Sequence, residues 1–255
     1  MSVNAAKSGE TIPPLTFVLV HGAWHGGWCY RETAVALRAA GHTVFTPTLT
    51  GLGERSHLNR ENITLETHIR DICGCIEAEE LSDVILCGHS YGGLVITGVA
   101  DRMASRIQRL VYLDAFVPEH GQSLISCLSQ ALSEEGAQAW VDGFRASAIR
   151  EHGGLMAALP AEAFSVNEHK RAWVDRRCGP QPLATFETSV LLTGAGSAIK
   201  ERVFILADGW DPSPFRYYAA KVCELDGWRV SKMPCGHDVM VDLPLELATE
   251  LMGPS

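Results

Sequence analysis

The pentapeptide Gly88-His89-Ser90-Tyr91-Gly92 follows the apolar run Val84-Ile85-Leu86-Cys87 and opens a helix-like stretch from Leu94 to Met103. A serine on a sharp turn between a buried parallel strand and a helix is held in strained backbone with its hydroxyl exposed. Glycines two residues to either side then let strand and helix approach. The chemistry such a turn serves is nucleophilic attack, because the helix N-terminus directs partial positive charge at the negative charge that develops beside the hydroxyl. A serine hydroxyl is a poor nucleophile at its own pKa and needs a base that takes and returns a proton near neutral pH. Of the ten histidines, His237 in Pro234-Cys235-Gly236-His237-Asp238 fits best, since it directly follows the last strand-like run. His89 adjoins Ser90, but its side chain is expected to leave the turn in another direction. His120, His152 and His169 lie in a stretch where exposed or packing roles are the default.

Two further parts would complete such a site. The segment His21-Gly22-Ala23-Trp24-His25-Gly26-Gly27 follows the first strand-like run, where a loop can turn a backbone N–H toward the serine. The N–H groups of Ala23 and Tyr91 would then form an oxyanion hole. A dinucleotide-binding loop competes for the same glycines, but the spacing is not G-x-G-x-x-G. The second strand also ends in Thr46-Pro47 rather than in an acid for a ribose. The acid that orients the imidazole has two candidates. Asp114 closes the strand Arg109–Leu113 among Leu113, Ala115 and Phe116, and Asp208 follows the strand Arg202–Ala207. A buried carboxylate is tolerated only with a hydrogen-bonded or charged partner, which favours Asp114 and keeps Asp208 as the alternative. Asp211 reads as the cap of the turn before Pro212. His21 and His25 have the spacing of a metal pair on a helix, but they sit in a glycine-rich loop with no zincin carboxylate, so no metal is expected.

These residues need a scaffold, and the chain supplies an alternating one. Strand-like runs at Phe17–Val20, His42–Pro47, Val84–Cys87, Arg109–Leu113, Arg202–Ala207 and Trp228–Met233 alternate with helical stretches such as Trp28–Ala40, closed by Gly41, and Leu65–Leu81. That order predicts an α/β fold, a parallel sheet covered on both faces. After Pro118 the pattern breaks, and residues 119–195 read as an inserted helical cap on a core of 1–118 and 196–255, the whole forming one folding domain. The 255 residues, 46% hydrophobic, bury a substantial core without disulfides or metal. A net charge of −9 without long runs of one sign leaves no basic face for nucleic acid or an anionic membrane. The apolar runs are too short to span a bilayer, and Met1–Pro14 lacks the charged start and apolar middle of a signal peptide, so a cytoplasmic protein is expected. Eight cysteines without a C-x-x-C pair read as scattered buried thiols.

The motifs Phe17-Val18-Leu19-Val20-His21-Gly22-Ala23-Trp24-His25-Gly26-Gly27-Trp28, Gly88-His89-Ser90-Tyr91-Gly92-Gly93, Tyr112-Leu113-Asp114-Ala115-Phe116-Val117-Pro118 and Gly236-His237 carry a resemblance across nearly the whole chain. The sequence resembles the α/β-hydrolase fold, and within it the small esterases related to plant hydroxynitrile lyases and methyl salicylate esterases. Thr46-Pro47-Thr48-Leu49-Thr50-Gly51-Leu52-Gly53-Glu54-Arg55 is similar to bacterial esterases that hydrolyse the carbamate fungicide carbendazim. The resemblance implies a cofactor-free serine hydrolase acting on a small carboxylic ester, aryl or carbamate, through an acyl-enzyme. Its lyase branch carries threonine in place of Gly22 and lysine in place of Asp238. An aspartate would oppose a departing anion, so hydrolysis is favoured over the lyase alternative. A small-molecule receptor on the same fold is the other alternative, with an intact serine, histidine and acid set against it. The aromatics Trp140, Phe144 and Trp173 are candidates for the pocket. The expected partner is a small ester, and monomer and homodimer stay equally open.

Overall fold

Phe17–Val20 and Val84–His89 are shielded from solvent on both faces, as their unbroken apolar sequence requires. The computed structural model describes residues 13–60, 62–150 and 154–253. Most of Met1–Pro14, and His152, therefore lie outside the described residues.

The chain runs β1 (Thr16–Val20), a 3-10 turn, α1 (Arg31–Ala39), β2 (Thr43–Phe45), α2 (Leu65–Ala78), β3 (Val84–Ser90), α3 (Gly92–Arg102) and β4 (Ile107–Ala115). A long insertion then carries α4 (Leu124–Ala131), α5 (Glu134–Arg150), β5 (Leu155–Met156), α6 (Glu168–Asp175), β6 (Gln181–Pro182) and α7 (Ala184–Glu187). The core resumes with β7 (Glu201–Ala207), α8 (Phe215–Cys223), β8 (Trp228–Met233), α9 (Val239–Asp242) and α10 (Pro244–Met252). Six strands form one parallel sheet in the order β2-β1-β3-β4-β7-β8. The strand order reverses direction about β1, which puts the loops after β1 and β3 side by side at the C-terminal edge of the sheet.

Three expectations shift. The helix read from Trp28 begins as the 3-10 turn Gly27–Tyr30, where a Cβ on Gly27 would stand 2.0 Å from the Thr46 carbonyl. Strand β2 stops at Phe45, short of Pro47, which has no N–H to give a ladder. Strand β4 runs two residues beyond each predicted end, through Asp114, because the buried carboxylate reads as a terminus in sequence but finds partners in the fold. The insertion also holds a two-strand antiparallel ladder, β5 with β6, too short to leave a period in sequence. No helix of the described residues is long and apolar enough to cross a membrane.

Helix α2 buries Leu65, Ile69, Ile72 and Ile76, a stripe at helical spacing that packs on α3. Helix α3 starts almost in contact with the sheet. A Cβ on Gly88 would meet the Gly92 carbonyl at 2.5 Å, and one on Gly93 the Phe116 carbonyl at 2.1 Å. Gly93→Ala is expected to destabilise by about 3 kcal/mol or more, lowering Tm by roughly 6 to 12 °C, since the Phe116 carbonyl it would meet is backbone and cannot rotate away. Thermal melts of the variant against wild type check this.

Candidate active site

Ser90 ends β3 with φ +54° and is followed at once by the N-terminus of α3. Left-handed backbone in a residue other than glycine is strained, and here it turns the hydroxyl out of the pleat and into a cavity. Ala23 and His237 line the same cavity. The N–H groups of Ala23 and Tyr91 make no hydrogen bond among the described residues. A histidine bonds a neighbouring group at each position. His21 gives Nδ1–H to the Gly22 carbonyl at 2.8 Å and accepts the Leu49 N–H on Nε2 at 3.1 Å, orienting the peptide that bears the Ala23 N–H. His68 accepts the Tyr91 hydroxyl on Nδ1 at 2.8 Å and gives Nε2–H to the Thr50 carbonyl at 2.9 Å. Those partners assign the tautomers, and burial keeps both rings neutral, lowering His21 to about 3 and His68 to about 4.

His237 lies between β8 and α9. Its N–H donates to the Phe164 carbonyl at 2.9 Å, and Gly236 before it passes so near the insertion that a Cβ would stand 2.1 Å from the Ser165 carbonyl. Its ring stacks on Phe215 at 5.1 Å and 8°, with Trp210 at 4.6 Å. Nδ1 donates to Asp114 Oδ2 at 2.6 Å, and Asp114 Oδ1 accepts the Ala207 N–H at 3.0 Å. The ladder pairs His89 with Leu113 and Ser90 with Ala115, so Asp114 is the extra residue of a bulge, with φ +42°. A bulge re-aims a side chain, and here it turns the carboxylate along the sheet edge to the imidazole. Burial pushes Asp114 up, opposed by the Ala207 N–H, and burial pushes His237 down to about 3, opposed by Asp238. His237 therefore stands neutral, with Nε2 able to take a proton. No hydrogen bond joins Ser90 Oγ to His237 among the described residues; such contacts often close only around a substrate.

Asp208 goes elsewhere. Its side chain is 37% exposed and binds Arg216 at 2.5 Å, with Lys232 at 3.7 Å. Arg216 holds its carboxyl below the usual range.

Sequence reasoning missed two histidines. The His89 ring does not leave the site but lies 4.4 Å from the His237 ring and gives Nε2–H to the His237 carbonyl at 3.0 Å. A Cβ on Gly22 would stand 2.7 Å from its Nδ1, so the threonine of the lyase branch does not fit without moving it. His25 meets Asp238 Oδ2 through Nε2 at 3.1 Å. Asp238 is thus charge-paired and does not line the cavity, which weakens the electrostatic contrast drawn from sequence. The partners of these histidines lie far along the chain, beyond the reach of local spacing.

The cavity walls include Trp24, Phe116, Trp140, Phe144, Phe164 and Phe186. Trp173 is not among them; it packs edge-on against Trp28 at 5.0 Å under the Arg177 guanidinium, because α6 runs along the outside of the β1 loop. Apart from His237, no titratable side chain among the described residues lines the cavity, whose walls are mainly apolar.

The sequence profile described as "Alpha/beta hydrolase family" matches residues 17–250. The chain belongs to the alpha/beta hydrolase family. It is 66% identical over 235 residues to the carbendazim hydrolyzing esterase of Nocardioides sp. (strain SG-4G), covering 92% of this chain and 97% of that one. It is 24% identical to methylesterase 10 of Arabidopsis thaliana over 91% of this chain and 88% of that one. Among solved structures, an extracellular alpha/beta-hydrolase from a Paenibacillus species, described as sharing structural and functional homology with tobacco salicylic acid binding protein 2, superposes with a TM-score of 0.79 at 27% identity. The match covers 94% of this chain and 98% of that chain. With an esterase two-thirds identical along nearly its whole length, this hydrolase is a carboxylic ester hydrolase.

His21, His68, His89 and His237 are all held below their ordinary range by burial. Each is neutral when folded and takes a proton near pH 6.5 when unfolded. Stability is therefore full above that pH and is lost as pH falls toward the folded values, by about 1.4 kcal/mol per pH unit for each group. Asp114, pushed up, offsets part of this. Tm is expected to drop steeply between about pH 6.5 and 4. His68→Gln, which can keep both hydrogen bonds, should make that slope shallower in melts recorded across the range.

Proposed function

We propose that Ser90 is the nucleophile, His237 the general base and acid, Asp114 the residue that orients it, and the Ala23 and Tyr91 N–H groups the oxyanion hole. The observation that carries this reading is the 2.6 Å bond from His237 Nδ1 to the bulged Asp114, beside a cavity that Ser90 and His237 both line. His237 Nε2 takes the Ser90 proton as Oγ bonds to the ester carbonyl carbon, and the oxyanion gathers the two N–H donors. The intermediate collapses with His237 returning the proton to the leaving alkoxide. Water then attacks the acyl-enzyme by the same route and frees the acid and Ser90.

The aromatic, uncharged walls favour a neutral aryl or heteroaryl substrate, and the Nocardioides relative points to methyl carbamates such as carbendazim. Attack on such a carbamate with loss of methanol leaves a carbamoyl-serine. Hydrolysis gives a carbamic acid, which divides into amine and carbon dioxide. Residues 119–195 act as the cap that supplies Trp140, Phe144, Phe164 and Phe186, half of the aromatic wall. Eight unpaired cysteines support a reducing, cytoplasmic setting, which fractionation of source cells tests. The crowding of Gly22 by His89 speaks against the lyase alternative.

Hydrolysis of p-nitrophenyl esters, methyl aryl esters and a methyl carbamate is the test. Ser90→Ala is expected to lower kcat by about 10⁴-fold or more, and Asp114→Asn by about 10³- to 10⁴-fold. Asp208→Asn is expected to stay within about threefold, as its surface pair contributes little. An active Ser90→Ala enzyme, or an Asp208→Asn loss matching that of Asp114→Asn, would overturn the assignment.

A further inference from the structure

The strongest unused chemistry in the molecule is a buried ion pair behind the cavity. His25 is 3% exposed and Asp238 fully buried, and they join at 3.1 Å across 213 residues of sequence. His25 also turns Nδ1 to the Ala23 carbonyl at 2.7 Å. A carbonyl and a carboxylate can only accept, so the ring between them carries both protons and is an imidazolium. It stacks on Trp28 at 5.2 Å and 22°, which fixes its plane.

Resting on the serine, histidine and acid reading above, we propose that the His25–Asp238 pair is a positioning device. It ties the loop that presents the Ala23 N–H to the loop that carries His237, and so keeps the oxyanion donor and the base in register. One end of the pair holds the peptide that follows the donor, and the other is the residue bonded to the base. The Ala23–Trp24 peptide is gripped from both sides, its carbonyl by His25 and its N–H by Gln181 Oε1 at 2.8 Å. Trp24 keeps a left-handed φ of +63°, a conformation that a bulky residue holds only when its surroundings impose it.

Stability alone does not account for the pair, since a buried ion pair is commonly matched or exceeded by apolar residues of the same volume. It also does not replace the acid: Asp238 Oδ1 makes no hydrogen bond among the described residues, and His89 Nε2 is 3.9 Å away and engaged with the His237 carbonyl. Burial lowers His25, but Asp238 and Cys178 together outweigh it and raise the ring well above its ordinary range; His25 in turn holds Asp238 down against its own burial. Cys178 Sγ at 3.8 Å, His89, Cys29, His21 and His237 are the other titratable groups that interact with the ring. The bridge is thus intact at neutral pH and opens only as pH rises through the folded value of His25.

The test measures kcat, KM and the Ki of an arylboronic acid, which forms a tetrahedral anion on serine, for wild type, Asp238→Leu, Asp238→Asn, His25→Gln and the His25→Gln/Asp238→Leu pair. Asp238→Leu is expected to lower kcat and weaken boronate binding by about 30-fold or more with KM within about threefold, as expected for a misplaced group. Asp238→Asn, which keeps an acceptor and the volume, should recover most of that loss. The double variant should lose no more than the worse single one, and the alkaline fall of kcat should vanish in His25→Gln. If Asp238→Leu and His25→Gln change Tm but leave kcat and boronate affinity within about threefold, or if their losses multiply, the proposal is wrong. Should Asp238→Leu fail to fold, His25→Gln and Asp238→Asn decide the matter by the same readouts. Ser90→Ala measured alongside separates the two failures: an active Ser90→Ala enzyme overturns the nucleophile, while an inert one beside an unaffected Asp238→Leu overturns only the bridge.

Discussion

Ser90 holds a left-handed backbone because β3, α3 and the end of β4 meet there with no room for side chains. Gly88 and Gly92 let the turn close, and Gly93 lets α3 rest on the Phe116 carbonyl. Strain of this kind costs about 1 to 3 kcal/mol per residue and persists only where packing over-determines it. The described residues include six non-glycine positions with positive φ, and three of them bear on the site: Trp24 and Ser90 line the cavity, and Asp114 bonds His237. Each sits at the C-terminal edge of the sheet, on β3, on β4 or in the loop after β1. The site is therefore a set of edge distortions on an otherwise regular sheet.

Those distortions are held by a layer of histidines whose protons are specified by their partners. His21 and His68 orient the residues of the proposed oxyanion hole, His89 braces the backbone of His237, and His25 bridges two loops. Burial keeps His21, His68, His89 and His237 neutral, while His25 alone among these is charged beside Asp238. Low polarizability around such groups strengthens each satisfied hydrogen bond and penalises each broken one. Rigidity at the reacting centre follows from that asymmetry.

The insertion after β4 does more than supply aromatic wall. The Phe164 carbonyl accepts the His237 N–H, the Gly179 N–H donates to the Trp24 carbonyl, and Gln181 takes the Trp24 N–H. Binding surface and reacting groups are thus parts of one hydrogen-bonded unit, and displacement of the insertion would move both together.

The parallel α/β order, the serine turn and the loop after β1 were legible in the chain because they are local. An apolar run followed by Gly-x-Ser-x-Gly, and glycines after the first strand, constrain backbone within a few residues. His237 was legible by its place after the last strand. Asp114 and Asp208 both close strands, and sequence could only rank them. The fold separates them, because a bulge turns Asp114 to the imidazole while Arg216 draws Asp208 to the surface. Trp173, as aromatic as Trp140 and Phe144, faces away because α6 lies outside the loop it covers. The pairing of His25 with Asp238 left no trace in sequence. Local spacing determines what backbone a segment adopts, whereas which side chains meet across 213 residues depends on how the strands are ordered and the loops are packed, and only the tertiary structure decides that.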